Sequence, residues 1–203
     1  MKWFIDGKDY FYALSEALEA ATSHIATIGW WVTPELYLRR PPSTHQQWRL
    51  DRVYRSCTYL NLIPSLGRAT ARGVKVYGVV YDDVALISTM DSEHTVQALE
   101  KVNPEMIKIM RHPAHDVLLD PLNIENELYW SHHDKAVVID DTIVFWGGLD
   151  TCFGRWDYNA HPLADLHAHL RDEIWVGQDF NDARIMDFSN VTNWRQNMLN
   201  RAQ

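Results

Sequence analysis

The stretch 132-HHDKAVVIDDTIVFWGGLDTCFGRWD-157 decides how this chain folds. Ala136 to Ile139 is β-branched and apolar and reads as a short buried strand. Asp140-Asp141 reads as a tight turn, and Thr142 to Trp146 as a second strand. Gly147-Gly148 then lets the backbone come close to a neighbour. Strand side chains alternate between faces, so His133 and Lys135 point the same way and Asp140 points elsewhere. A histidine beside a lysine suits an anionic substrate. The lysine neutralises phosphate oxygens, and its charge favours a neutral, nucleophilic imidazole. Taken alone, the same residues describe a hairpin with His and Lys at its solvent end, because a short motif is a hypothesis until its context agrees.

Working outward, the chain opens strand-helix-strand. Lys2 to Asp6 alternates like a strand. Asp9 is placed to cap a helix running to about Thr22, with Phe11, Leu14, Leu18 and Ala21 on one stripe. His24 to Trp31 is a second strand. This opening suits a parallel sheet with crossover helices. Val74 to Tyr81 is the clearest strand; Glu93 to Val102 reads as helix, Met106 to Met110 as strand, and Glu173 to Gly177 as strand. Arg39 to Gln47 is a loop by its prolines and polar residues. The segment 52–66 has no clean period, and its Pro64 would break a helix, so it reads as an irregular, insertion-like segment, either a genuine insertion or retained intron sequence. The expected fold is α/β, with a mixed, largely parallel sheet flanked by helices.

With 203 residues, 46% hydrophobic and 23% charged, the chain is long enough for one domain with a sizeable core. The formal net charge of -8 argues against bulk nucleic-acid binding, which leaves a basic footprint. Cys57 and Cys152 make no disulfide framework, so a reducing compartment is expected. The start MKWFIDGKDY lacks the continuous apolar core of a signal peptide, and no stretch is long and apolar enough to span a bilayer. The expected location is cytoplasmic, with peripheral attachment to membranes.

Seven groups of residues carry a resemblance. His133, Lys135 and Asp140 stand as H-x-K-x4-D; Gly147, Gly148 and Asp150 follow as G-G-x-D; Trp30-Trp31-Val32-Thr33-Pro34-Glu35 follows the second strand. With Trp48-Arg49-Leu50-Asp51, Arg111-His112-Pro113, Gly154-Arg155-Trp156-Asp157 and His161-Pro162-Leu163-Ala164-Asp165, they make the chain resemble the eukaryotic branch of the phospholipase D superfamily. The resemblance runs from Lys2 to about Asn200, but it matches only the first half of the family's catalytic region. Residues 1–203 would be a single catalytic half with one H-x-K-x4-D motif. Departures exist: Gly29 stands where the family usually has an acidic residue, and Asp82 where related sequences tend to carry lysine.

The resemblance implies roles. His133 would attack phosphorus and form a phosphohistidine. Lys135 and Asp150, with backbone donors near Gly147 and Gly148, would hold the phosphate. Asp165 would bind the ring nitrogen of His133 that does not attack, fixing the tautomer and stabilising the cation. Asp140 would be a structural acceptor that fixes the motif. The substrate would be a glycerophospholipid at a membrane surface, phosphatidylcholine giving phosphatidate and choline, with no cofactor and no metal. A second histidine from a second motif is needed. It would come from a C-terminal half or from a second copy of the chain, because a twofold places two identical motifs in one site. Rival readings are an inactive fragment or binding remnant, and a nuclease-like phosphodiesterase homodimer, against which the acidic charge weighs. A metallohydrolase is disfavoured, since no H-x-x-x-H or C-x-x-C pair accompanies the ten histidines.

Overall fold

The computed structural model describes residues 1–36, 38, 62–83, 90–112, 132–157 and 159. Among them the chain runs α1 (Gly7–Ala20), β1 (His24–Gly29), α2 (Leu62–Ala71), β2 (Lys75–Tyr81), α3 (Ser92–Glu100), β3 (Ile107–His112), β4 (Ala136–Ile139) and β5 (Ile143–Trp146). The strands form one sheet in the order β3-β2-β1-β4-β5. The pairs β1/β2 and β2/β3 are parallel; β1/β4 and β4/β5 are antiparallel. The sheet is therefore mixed, and the chain is α/β as expected.

Register explains which face is buried. Ile25 pairs with Val76 and with Ile139, and Val76 pairs with Ile107. All four side chains are buried, and they pack with Phe11, Leu14 and Leu18 of α1, Leu66 and Ala69 of α2 and Leu99 of α3. Each fully buried side chain of this size contributes roughly 1.5–3 kcal/mol of hydrophobic free energy. On the other face Tyr77, Met110, Val144 and Trp146 remain exposed.

Several boundaries move from the sequence expectation. Lys2 to Asp6 forms no strand; it joins no ladder, and Phe4 instead stacks on Phe145 with ring centroids 6.3 Å apart. Helix α1 starts at Gly7, which puts Asp9 in its first turn rather than at its cap. Strand β1 stops at Gly29, before the two tryptophans. Pro64 does not break a helix. It is the third residue of α2, where a missing N–H removes no intrahelical bond. Leu62 to Leu66 is therefore helical, and Leu62 and Leu66 are buried. Residues 52–61, the Arg39 to Gln47 loop, Trp48 to Asp51, and everything from His161 onward, including Asp165 and the strand expected at Glu173 to Gly177, lie outside the described residues.

The topology collects one set of strand ends. Ile28 near the end of β1 pairs with Ala136 at the start of β4, and Ala136 pairs with Trp146 at the end of β5. Tyr81 and His112 close β2 and β3 beside each other. The carboxyl ends of β1, β2, β3 and β5 and the entry to β4 thus share one edge, the usual place for a site in an open α/β sheet.

Candidate active site

Lys135 enters this edge just before β4 and is 5% exposed. Its Nζ lies 3.2 Å from Asp150 Oδ1 and donates to the His133 carbonyl oxygen at 2.9 Å. It also stands 5.4 Å above the Trp30 ring centroid, within reach of a cation–π contact. The His133 ring lies on the same indole, 5.0 Å between centroids, and is exposed. The shared direction expected for His133 and Lys135 therefore takes a concrete form: both meet Trp30.

Asp150 is 2% exposed and fully engaged. Its Oδ1 accepts from the Trp31 amide at 3.1 Å, and its Oδ2 lies 3.8 Å from the Arg155 guanidinium. The buried carboxylate is thus held by one ammonium, one guanidinium and one amide, which is what a buried charge requires. Its charge also reaches α1. Burial, helped by Asp150, pushes the Tyr10 hydroxyl up to about 12, so it stays protonated at neutral pH. Segment 150–157 is anchored elsewhere by backbone. Thr33 N donates to Thr151 O at 2.9 Å, and Lys8 N donates to Asp157 O at 2.8 Å.

Gly147 and Gly148 follow β5 on the same edge. Among the described residues, a methyl group added at either would meet nothing within 4 Å, so none of them approaches closely there. Gly147 N donates to Lys135 O at 3.4 Å.

Asp140 is not part of this group. It lies at the far end of the hairpin, where Ile139 pairs with Ile25 near the start of β1. Asp140 and Asp141 take φ values of 52° and 53°, the left-handed region tolerated by Asp in tight turns. The Asp140 carboxylate accepts from Thr22 N at 2.8 Å, Thr22 Oγ1 at 2.9 Å, Ser23 N at 2.8 Å and His24 N at 3.0 Å. The bonds from the Thr22, Ser23 and His24 amides hold its carboxyl well below the usual carboxylate range. This geometry is that of a structural acceptor locking the motif hairpin to β1.

Around the site, Asp82 pairs with Arg111 of the neighbouring strand, so the unexpected carboxylate is neutralised locally. Asp83 turns inward and accepts from Ser92 N at 2.8 Å, starting α3. His132 has both ring nitrogens shielded from solvent, with the Val80 backbone close enough to oppose the effect of burial. Burial lowers its pKa, and His112 and Lys135 act in the same direction. Sequence reasoning missed Arg155 as a partner of Asp150 and Trp30 as the shared platform. Both lie in motifs that the sequence shows, but only the fold says which motif residue turns inward. Among the described residues no group of three or more His, Cys, Asp or Glu gathers to hold a metal, and no helix is long and apolar enough to cross a membrane.

No family model matches the chain. Phospholipase D1 of Schizosaccharomyces pombe is 35% identical over 207 residues, covering 99% of this chain and 14% of that protein. Phospholipase D1 of Saccharomyces cerevisiae is 38% identical over 200 residues, covering 98% of this chain and 11% of that protein. The chain therefore spans a small part of the length of these relatives. Among solved structures, Nuc from Salmonella typhimurium, a phospholipase D family member, aligns with a TM-score of 0.41 at 15% identity, over 70% of this chain and 64% of that one. With identities of 35% and 38% running through almost its whole length, the chain belongs to the phospholipase D family.

Proposed function

We propose that this chain is the nucleophile-bearing half of a phospholipase D-type phosphodiesterase acting on glycerophospholipids, with phosphatidylcholine as the substrate and phosphatidate and choline as products. One observation carries the reading: a buried lysine, fixed by Asp150 and the His133 carbonyl, lies beside an exposed histidine ring on a common indole. An ammonium has three N–H donors. Two are used among the described residues, which leaves one for a phosphate oxygen. Among the described residues nothing crowds Gly147 and Gly148, which leaves that oxygen room to approach backbone.

In the proposed reaction a ring nitrogen of His133 attacks phosphorus as the bond to the choline oxygen breaks. A second histidine, from a second motif, donates its proton to that oxygen, then takes a proton from water as the water cleaves the phosphohistidine. Two easier displacements replace one difficult one. Lys135 and the amides near Gly147 offset the charge that grows on the phosphoryl oxygens. Asp165 orients His133. The second motif comes from a C-terminal half or from a second copy of the chain, and the complete enzyme works at a membrane surface from the cytoplasmic side. The acidic charge of -8 favours a lipid over a nucleic-acid substrate.

The test joins size to activity. The purified chain is sized by light scattering and assayed for choline release beside His133→Ala. Release by a dimer that disappears in the variant supports the reading with two copies building one site. A monomer without release is then supplied with the polypeptide carrying the second motif. Continued absence of release overturns the reading.

A further inference from the structure

The loop that leaves β1, Trp30 to Leu36, touches His133, Lys135 and Asp150. It supplies the indole under Lys135 and His133 and the amide that Asp150 accepts. Two bonds tie this loop to α3, a helix that contributes nothing directly to the site. Thr95 Oγ1 donates to Val32 O at 2.7 Å, and His94 Nε2 lies 2.7 Å from Glu35 Oε1. The His94 and Glu35 side chains are 25% and 29% exposed, so solvent competes weakly for this bond. The other Glu35 oxygen, Oε2, is shielded and has no hydrogen-bond partner among the described residues. The carboxylate is therefore held mainly through His94.

We infer that His94 is a positioning residue. Through Glu35 it fixes the Trp30 to Leu36 loop, and thereby holds Asp150, and with it Lys135, in place for an anionic substrate. The inference rests on the phosphate-binding reading above, but its mechanical part stands apart from catalysis. If the Glu35 end of the loop is freed, Thr95 still holds Val32 and Thr151 O still holds Thr33 N, so the loop stays in place and the Trp31 amide opens from Asp150 more often without leaving it. The defect would be local, because the β1/β2 ladder does not depend on the loop.

Amide hydrogen exchange and tungstate binding on the full chain test this. His94→Phe keeps a ring and removes the donor. It is expected to speed exchange of the Trp31 amide roughly tenfold or more while the Ile25 and Val79 amides keep their wild-type rates. Tungstate, a phosphate mimic, should bind several-fold more weakly. His94→Gln, whose amide N–H can reach the same carboxylate, should restore both. Should His94→Phe fail to fold, Glu35→Leu, which removes the same tie from its other end, is expected to move the same two readouts. Unchanged Trp31 exchange, or acceleration spread equally over Ile25 and Val79, overturns the inference. Absence of tungstate binding by the wild type counts against the phosphate-binding reading instead, and the exchange measurement still decides the role of His94.

Discussion

Lys135 and Asp150 form a buried ion pair, with Nζ and Oδ1 3.2 Å apart and both side chains at 5% exposure or less. Taking two charges out of water is costly, and the pair persists because Trp31 N and Arg155 engage the carboxylate further and the His133 carbonyl accepts a second Lys135 N–H. Removing one partner strands the other. Lys135→Met is expected to cost roughly 3–5 kcal/mol in urea denaturation. Asp150→Leu should cost as much, and the double variant clearly less than the sum. Strict additivity of the two losses would mean that the ions do not interact.

Asp140 offers a pH test. Its folded carboxyl lies below the ordinary value of 3.8, owing first to the Thr22 amide and then to those of Ser23 and His24. A depressed folded value means that the stabilisation is present above pH about 4 and is lost as pH falls through the folded value. Asp140→Asn should therefore lower the melting temperature at neutral pH and flatten its fall in acid. Melting curves taken at intervals between about pH 6 and pH 2 check this; parallel curves for wild type and variant would contradict it.

Much of this was legible in the sequence because periodicity reports burial. The 136–146 hairpin, β2 and the amphipathic α1 follow from apolar alternation or from the helical stripe of Phe11, Leu14 and Leu18. The expectation failed where pairing or position overrides local pattern. Lys2 to Asp6 alternates but joins no ladder, and Phe4 meets β5 through the Phe145 ring instead. Pro64 is disruptive only in a helix interior, and α2 places it in the first turn. At the site, the motifs named His133, Lys135 and Asp150, but not Arg155 or Trp30 as their neighbours. The Trp30 contacts join residues more than 100 positions apart, and the Arg155 contact depends on a turn within 150–157, so no local pattern encodes them.

Trp30 tests the shared platform. Its ring lies 5.0 Å from the His133 ring and 5.4 Å from Lys135 Nζ. Trp30→Leu removes the π face but keeps an apolar body. It is expected to cost about 1–2 kcal/mol in urea denaturation, the cation–π contact being part of this. Trp30→Phe, which retains a smaller π face, should recover part of the loss. Equal losses in the two variants would show that the face contributes nothing.

Gly7 gives a prediction whose sign opposes helix propensity. It is the first residue of α1, and a methyl group there would stand 2.0 Å from the Arg155 carbonyl oxygen and 3.2 Å from Trp156 Cα. These are backbone atoms, held close by the bond from Lys8 N to Asp157 O, so they cannot swing aside as a side-chain end would. Propensity alone would favour Ala over Gly in a helix interior by about 1 kcal/mol. The clash should reverse that, making Gly7→Ala destabilising by roughly 1–3 kcal/mol. Gly147→Ala is the control: among the described residues nothing lies within 4 Å of the added methyl, so stability should stay within about 0.5 kcal/mol of wild type. A stabilised Gly7→Ala would mean that segment 155–157 does not rest on α1. The place of Arg155 beside Asp150 would then need another support, because the close approach at Gly7 is what brings that segment to the start of the helix.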